Sequence, residues 1–355
     1  MTAESFDASR PDGGGLRGAL ALLPQRLSLL ATRDLDGLAL PDAELVTGVV
    51  ICAAGDDALD ADLAAAAVST EVSVPVVVHR GGRLPGWVGP TTLVVVVALT
   101  RVDARSRHVL EGARSSGADV VVVTADGSFA GDAVVAGARV LAMESADVTP
   151  RLLPGILLVP LVGIFEAVGL FPGAGGVMAA ALAQSALATS DCAAAPEGRK
   201  RPESAALARR IDRTLPLVYG ADGVAGAAAR WWKSAVNQSA KLAAFADGVP
   251  SMAYAELAMF GQAGDLTRQV FTMVLLRAPA DVEGSLAAGQ LDRFDELFSE
   301  VVHDVHTVTT EAHGLAAYLD LAIRGQWVGV ELAALAGVDP SAVSILNEFW
   351  AASSS

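Results

Sequence analysis

A chain of 355 residues is long enough for two domains, and 52 % of it is hydrophobic, dominated by Ala, Val, Leu and Gly. Its formal charge of −15 argues against nucleic acid or an anionic membrane as the main partner. Lysine occurs only at Lys200, Lys233 and Lys241, and Cys52 and Cys192 make no disulfide or metal framework, which fits a reducing cytoplasm.

Residues 1–15, MTAESFDASRPDGGG, are acidic and Gly-rich. They lack a basic stretch followed by an apolar one, so they read as a disordered tail and not as a signal peptide. Residues 16–31 read as one amphipathic helix. Strands and helices then alternate: strand LVTGVVICAA, helix DDALDADLAAAAVST, strands VPVVVHR and TTLVVVVALT, helix ARSRHVLEGARSSG, strands ADVVVVTAD and ARVLAM. That order predicts a doubly wound parallel sheet. From Leu152 to Ser190 the only charged residue is Glu166, and Pro154, Pro160, Pro172 and several glycines interrupt the run. The segment reads as buried helices at a domain or subunit interface, with no membrane span. Residues 191–204 are polar and read as a linker.

A second α/β unit opens with the strand TLPLVYG and the predicted helix 224–246. It continues through QVFTMVLLRAP, the helix LDRFDELFSEVV, the strand-like HDVHTVTT and a long helix through GLAAYLDLAIRGQWVGVELAALAGV. The fold class is therefore α/β, with two doubly wound domains at 16–190 and 205–355.

Within the first domain, Leu93–Val97, the helix after it and Val120–Val123 form a βαβ unit. The turn after the first strand of such a unit is where ligand chemistry falls, because the following helix offers free N–H groups. Here it reads Ala98-Leu99-Thr100-Arg101-Val102-Asp103, with no glycine, no serine and one threonine.

Several segments together resemble the bifunctional phosphoglucose/phosphomannose isomerases, in a divergent actinobacterial form. The segment YGADGVAGAAARWWKSAVNQSAKLAAFADGVPSMAYAEL, residues 219–257, resembles that family's strand, glycine turn, Arg-Trp-Lys helix, Asn-Glu-Asn-Ala-Lys motif and Asn-His-Asn-Glu motif. The C-terminal GVDPSAV resembles its Gly-x-Asp-Pro-x-x-Val signature. HRGGRLPGWVGPTTLVVVVA and TPRLLPGILLVPLVGIFEAVGL resemble the surroundings of its phosphate loop and its Pro-Arg helix. The resemblance spans roughly residues 20 to 350. It implies two sugar isomerase (SIS) domains, a sugar-phosphate ligand in hexose or mannose phosphate metabolism, a cytoplasmic homodimer and no cofactor. It also implies an aldose–ketose shift in which a glutamate moves a proton, a histidine opens the ring and a late lysine assists.

The chain departs from that pattern. The family's Ser-x-Ser-Gly-Asn-Thr loop falls on residues 98–103, where Thr100 alone keeps a hydroxyl and Asp103 brings a carboxylate. An unscreened carboxylate about 4 Å from a phosphate costs about 4 kcal/mol at an effective dielectric near 20. The earlier Gly-Met-Gly-Gly-Ser loop falls on Cys52-Ala53-Ala54-Gly55-Asp56. Arg101 and Arg105 either compensate or pair with these acids in a solvated charged loop. The base position falls on Gln238, the histidine on Tyr254 and the late lysine near Trp350. An amide is no base near neutral pH, and a phenol with a pKa near 10 is a poor one.

The candidate catalytic residues are Glu256, Tyr254 and Gln238, and the candidate ligand residues are Thr100, Arg101, Arg151 and Lys241. Lys241 and Glu256 have the alternative of forming an ion pair with each other. Three readings follow. The first is a catalytically degenerate homologue that binds a sugar phosphate or a partner. The second is an active glucose-6-phosphate/mannose-6-phosphate isomerase with relocated groups, and the third is a structural subunit without ligand. His303, His306 and His313 read as scattered polar residues near a strand end, because the first two point to opposite faces of a strand, and no metal site is expected. Of Trp231 and Trp232, one ring is expected in the core and the other at the domain cleft. FPGAGGV, residues 171–177, reads as a helix-breaking turn.

Overall fold

The structure is a computed structural model that describes residues 15–99, 101–145, 153–194, 201–260 and 265–352. It divides into two compact units: one spans residues 24–183 with 314–316, and the other includes residues 184–313 and 317–355 with the first helix.

The helix predicted over 16–31 is two helices, α1 (Leu16–Ala21) and α2 (Leu23–Ala31). Pro24 has no N–H to donate to the carbonyl four residues back, so the chain breaks at Leu22 and restarts with Pro24 in the first turn of α2. In the first unit, β1 (Gly48–Cys52), β2 (Val76–His79), β3 (Thr92–Ala98), β4 (Asp119–Thr124) and β5 (Arg139–Ala142) form a parallel sheet of order β2-β1-β3-β4-β5. β1 and β3 are buried along their whole length, which is why their sequences are unbroken apolar runs. The crossovers are α3 (Asp57–Val68), α4 (Ala104–Ser116) and α5 (Gly127–Val135). Val50, Val94, Val96, Val122, Val109 and Phe129 pack together as one core between sheet and helices.

The apolar stretch after the first sheet forms α6 (Leu158–Val168) and α7 (Ala174–Ala193). Pro160 stands in the first turn of α6, where its missing N–H costs nothing. Gly169, at φ 84°, ends α6, and FPGAGGV supplies the turn and the first residues of α7. Glu166 Oε1 accepts the N–H of Gly175 at 2.9 Å, so the one charge of the stretch faces the positive end of α7. Among the described residues, no helix is long and apolar enough to cross a membrane.

In the second unit α8 (Glu203–Ile211) precedes β6 (Leu215–Ala221), followed by α9 (Val224–Ala235), β7 (Phe245–Val249), β8 (Phe271–Arg277), β9 (Asp304–Thr309) and α10 (Gly314–Ala336). The sheet is parallel, in the order β7-β6-β8-β9. The helix expected over 224–246 stops at Ala235. Residues Val236–Ala240 form a π turn, and Lys241 at φ 58° reverses the chain. Asn237 Oδ1 accepts the N–H of Ala244 at 2.8 Å, and the chain leaves as β7, whose FADGV carries no apolar run.

Both Trp231 and Trp232 are buried, which corrects the expectation that one lies at a cleft. Trp232 Nε1 donates to Leu321 O at 2.7 Å and Trp231 Nε1 to Gln326 Oε1 at 3.2 Å, fixing α9 on α10. Gly325 and Gly329 permit that approach. A Cβ on Gly325 would overlap the Trp232 indole, and one on Gly329 would fall 2.9 Å from Ala235 O. Gly325→Ala is therefore expected to lower stability by about 1–3 kcal/mol through overpacking, although alanine is the better helix former. Urea denaturation checks it: an unchanged or raised midpoint would refute the packing argument.

Candidate functional site

In an open parallel sheet, ligands meet the carboxyl ends of the strands where the strand order reverses. That point lies between β1 and β3 in the first unit and between β6 and β8 in the second.

At the first switch point, Gly55 at φ 59° turns the chain from β1 into α3. The carboxylate of Asp57, at the start of α3, is buried and accepts the N–H of Leu99 at 2.9 Å. Asp103 Oδ1 caps α4, accepting Ser106 N–H at 2.8 Å and Ser106 Oγ at 3.0 Å. The expected solvated charged loop is thus corrected: two carboxylates are bonded into the turn and occupy backbone donors that a bound anion would use. Arg105 Nε lies 3.9 Å from Asp103 Oδ1, and its side chain is only 17 % exposed. Cys52 ends β1 in register with His79 at the end of β2. Burial pushes the Cys52 thiol up to about 12, with Arg105 opposing the shift, so this cysteine is an inert core thiol. Arg101 is half-buried. Thr100 and Arg151, two of the candidate ligand residues, lie outside the described residues.

Asp60, one turn into α3, is the residue that sequence reasoning missed here. Its carboxylate is buried and accepts Gly155 N–H at 3.1 Å and Leu157 N–H at 2.9 Å, which moors the entry to α6 on α3. No signal in the sequence links positions 95 residues or more apart.

At the second switch point, Asp222 follows β6. Its N–H donates to Val249 O at 2.9 Å and its Oδ2 accepts Ser251 Oγ at 3.1 Å. A Cβ on Gly248 would overlap the Asp222 carboxylate, so glycine is required there. Gln238 is half-buried in the π turn and donates through Nε2 to Ser234 Oγ at 3.0 Å. Glu256 accepts a 2.5 Å hydrogen bond from Tyr219 OH. Burial, and then Glu256, push that phenol well above its ordinary pKa, so it stays a donor. Tyr254 is 90 % exposed. Lys241 donates Nζ to Gln238 O, and burial lowers its pKa against the pull of Asp339. The ion pair considered for Lys241 and Glu256 is therefore not formed, since each side chain is engaged elsewhere. Gln238, Tyr254 and Glu256 are each placed differently: one bonded along its own helix, one in solvent, one held by a buried phenol.

The histidines disperse. His303 is exposed ahead of β9, His306 is half-buried on it, and His313 lies 3.3 Å from Asp281. Burial, and then Arg210, lower the pKa of His306 and keep it neutral. Among the described residues, no group of three or more His, Cys, Asp or Glu is placed to hold a metal ion. A cavity of about 380 Å³ lies beside β9, lined by Arg210, His306, Arg324 and Trp232 among others. Its arginines are neutralised: Arg210 forks onto Asp304, and Arg324 binds Asp320, Asp191 and Glu203 at 2.8–3.0 Å.

Comparison with known proteins agrees with this architecture. Residues 200–351 match the bacterial phospho-glucose isomerase C-terminal SIS domain. The chain is 24 % identical over 315 residues to the bifunctional phosphoglucose/phosphomannose isomerase of Caldicellulosiruptor bescii, covering 86 % of this chain and 89 % of that one. Among solved structures, a provisionally assigned phosphosugar isomerase of Silicibacter pomeroyi superposes with a TM-score of 0.67 at 15 % identity, covering 92 % of this chain and 99 % of that one. The C-terminal domain of glucosamine-fructose-6-phosphate aminotransferase from Francisella tularensis does so with 0.64 at 12 % identity, covering 91 % and 96 %. Two parallel sheets with these neighbours define an α/β protein with the fold of the SIS-domain phosphosugar isomerases. Residues 200–351 are similar to that family's C-terminal SIS domain, and most of the chain is similar to a bifunctional phosphoglucose/phosphomannose isomerase.

Asp60 makes stability depend on pH. Burial raises its pKa to about 6 against the pull of its backbone donors. The folded state then holds the proton more tightly than the unfolded chain does. This contribution is present below about pH 4 and is lost as pH rises through about 6. Asp60→Asn is expected to flatten the fall in stability between pH 4 and pH 6. Urea melts at several pH values check it, and an unchanged slope would refute the assignment.

Proposed function

We infer that this protein binds a sugar phosphate of hexose or mannose phosphate metabolism without performing the family's aldose–ketose shift at an enzymatic rate. The observation that carries this reading is Gln238. Isomerisation through an enediol needs a carboxylate that takes a proton from one carbon and returns it to the next. The position that the family resemblance assigns to that base holds an amide, and the amide is bonded to Ser234.

The neighbouring groups do not supply a substitute. Glu256 is the nearest glutamate in sequence, but it already accepts the Tyr219 hydroxyl, and Tyr254 faces solvent. A ligand remains chemically reasonable because the fold keeps its switch points and the first one keeps basic side chains. The same reading takes the domains as 16–190 and 205–355, joined by 191–204, and the working form as a cytoplasmic homodimer.

The test supplies fructose 6-phosphate to the purified full-length protein and follows glucose 6-phosphate and mannose 6-phosphate, with an active family member as control. Turnover below about 1 s⁻¹, the low end of typical enzyme rates, is expected. Turnover above it would overturn the reading and direct attention to Glu256 as base.

A further inference from the structure

The cavity of about 380 Å³ in the second unit lies between α8, the edge strand β9 and the middle of α10. It stands at the edge of the sheet and not at the switch point between β6 and β8. Small-molecule sites span about 300–1,000 Å³, so its volume is that of a site for a small ligand. Leu207, Val308 and Val328 give it apolar walls. Ala206, Thr307 and Thr309 at its rim are exposed, so it opens to solvent.

His306 also lines the cavity, and its ring makes no hydrogen bond to any described residue. Burial, and then Arg210, keep it neutral. A neutral imidazole presents one donor and one acceptor nitrogen.

The charge around the cavity is unbalanced. Arg324 takes Asp320, Glu203 and Asp191, and Arg210 takes Asp304, so four carboxylates face two guanidiniums. The charges that act on Cys192 and His306, both in the cavity wall, belong to this same set. Burial pushes the Cys192 thiol up to about 12, so it adds no charge of its own. The Asp320 side chain is 1 % exposed and that of Arg324 14 %, so salt screens this end of the cavity poorly. An anion entering here meets guanidiniums that are already engaged. A metal ion meets carboxylates gathered on an arginine.

We propose that this cavity binds a small primary ammonium compound with a short aliphatic body. An ammonium carries three donors and no acceptor. One donor goes to the acceptor nitrogen of His306, and the positive charge offsets the excess of carboxylate. The aliphatic body lies against Leu207, Val308 and Val328. Binding makes and breaks no covalent bond, and it does not depend on the sugar-phosphate reading above.

The experiment is a ligand-observed NMR titration of the full-length protein near neutral pH with three probes that share one body: n-butylammonium, butan-1-ol and butanoate. Butylammonium is expected to bind in roughly the millimolar range, as a ligand of so few atoms can. It should bind about tenfold or more tighter than the alcohol or the carboxylate, and added salt should weaken it. Ala206→Trp, a change at an exposed rim position, should fill the cavity and abolish binding. His306→Leu should weaken it about threefold or more by removing the acceptor. Val135→Trp, on the exposed face of α5 in the other unit, should match wild type.

Absence of saturable butylammonium binding would overturn the site. Equal or tighter binding of butan-1-ol or butanoate would overturn the ligand class. Butylammonium binding that Ala206→Trp leaves unchanged would overturn its location. If Ala206→Trp fails to fold, His306→Leu takes its place, and its unchanged affinity would count equally against the proposal.

Discussion

The N–H of Leu99 donates to the Asp57 carboxylate at 2.9 Å, and that bond constrains everything at the carboxyl edge of the first sheet. A backbone N–H in a tight turn serves one good acceptor. Once Asp57 has taken it, the turn cannot cradle an incoming anion with that group. Asp103 repeats the arrangement at the start of α4. Both carboxylates sit where a helix N-terminus favours negative charge, so the protein supplies from its own side chains the anions that such a turn attracts. The N–H groups of Leu99 and Ser106 are thereby satisfied from within the protein.

Much of the fold was legible in the sequence because burial writes it plainly. Leu93–Val97 and Val120–Val123 are strands buried on both faces, so they appear as unbroken apolar runs bounded by polar residues. β7 had no such signature. It is an edge strand whose FADGV alternates nothing, and Gly248 is there for the Asp222 carboxylate, not for strand propensity. The end of α9 was hidden for a related reason. Ser239, Ala240 and Lys241 are compatible with helix, and what stops it is a π turn followed by a residue at positive φ. Pro24 was readable as a break and was outweighed by the apolar pattern around it.

The site was less legible than the fold. Gln238 and Tyr254 were visible as losses because they fall inside recognisable motifs. The cap by Asp103 had a local signal, an acid three residues before Ser106 at the start of a helix. The bonds from Asp57 to Leu99 and from Asp60 to Gly155 had none, since they join residues 42 and 95 positions apart. Charge alone suggested a solvated charged loop, whereas folding placed Asp57 and Asp103 on specific N–H donors. One tryptophan was likewise expected at a domain cleft, although α9 packs on α10 and buries both.

In the second unit, three of the candidate residues are bonded into their surroundings. Gln238 is tied along its helix to Ser234, Lys241 closes the π turn on the Gln238 carbonyl, and Glu256 is tied to a phenol that burial keeps protonated. A glutamate placed at 238 would bring a charge into a half-buried turn next to the serine that now receives the amide, and Tyr254 would still stand exposed to solvent. Catalysis of this kind needs base, ring-opening group and phosphate cradle in one geometry, so restoring one leaves the others unsupplied. The binding edge of the first unit is different. There the turn carries cationic side chains, Arg101 and Arg105, beside carboxylates that are already bonded to backbone donors.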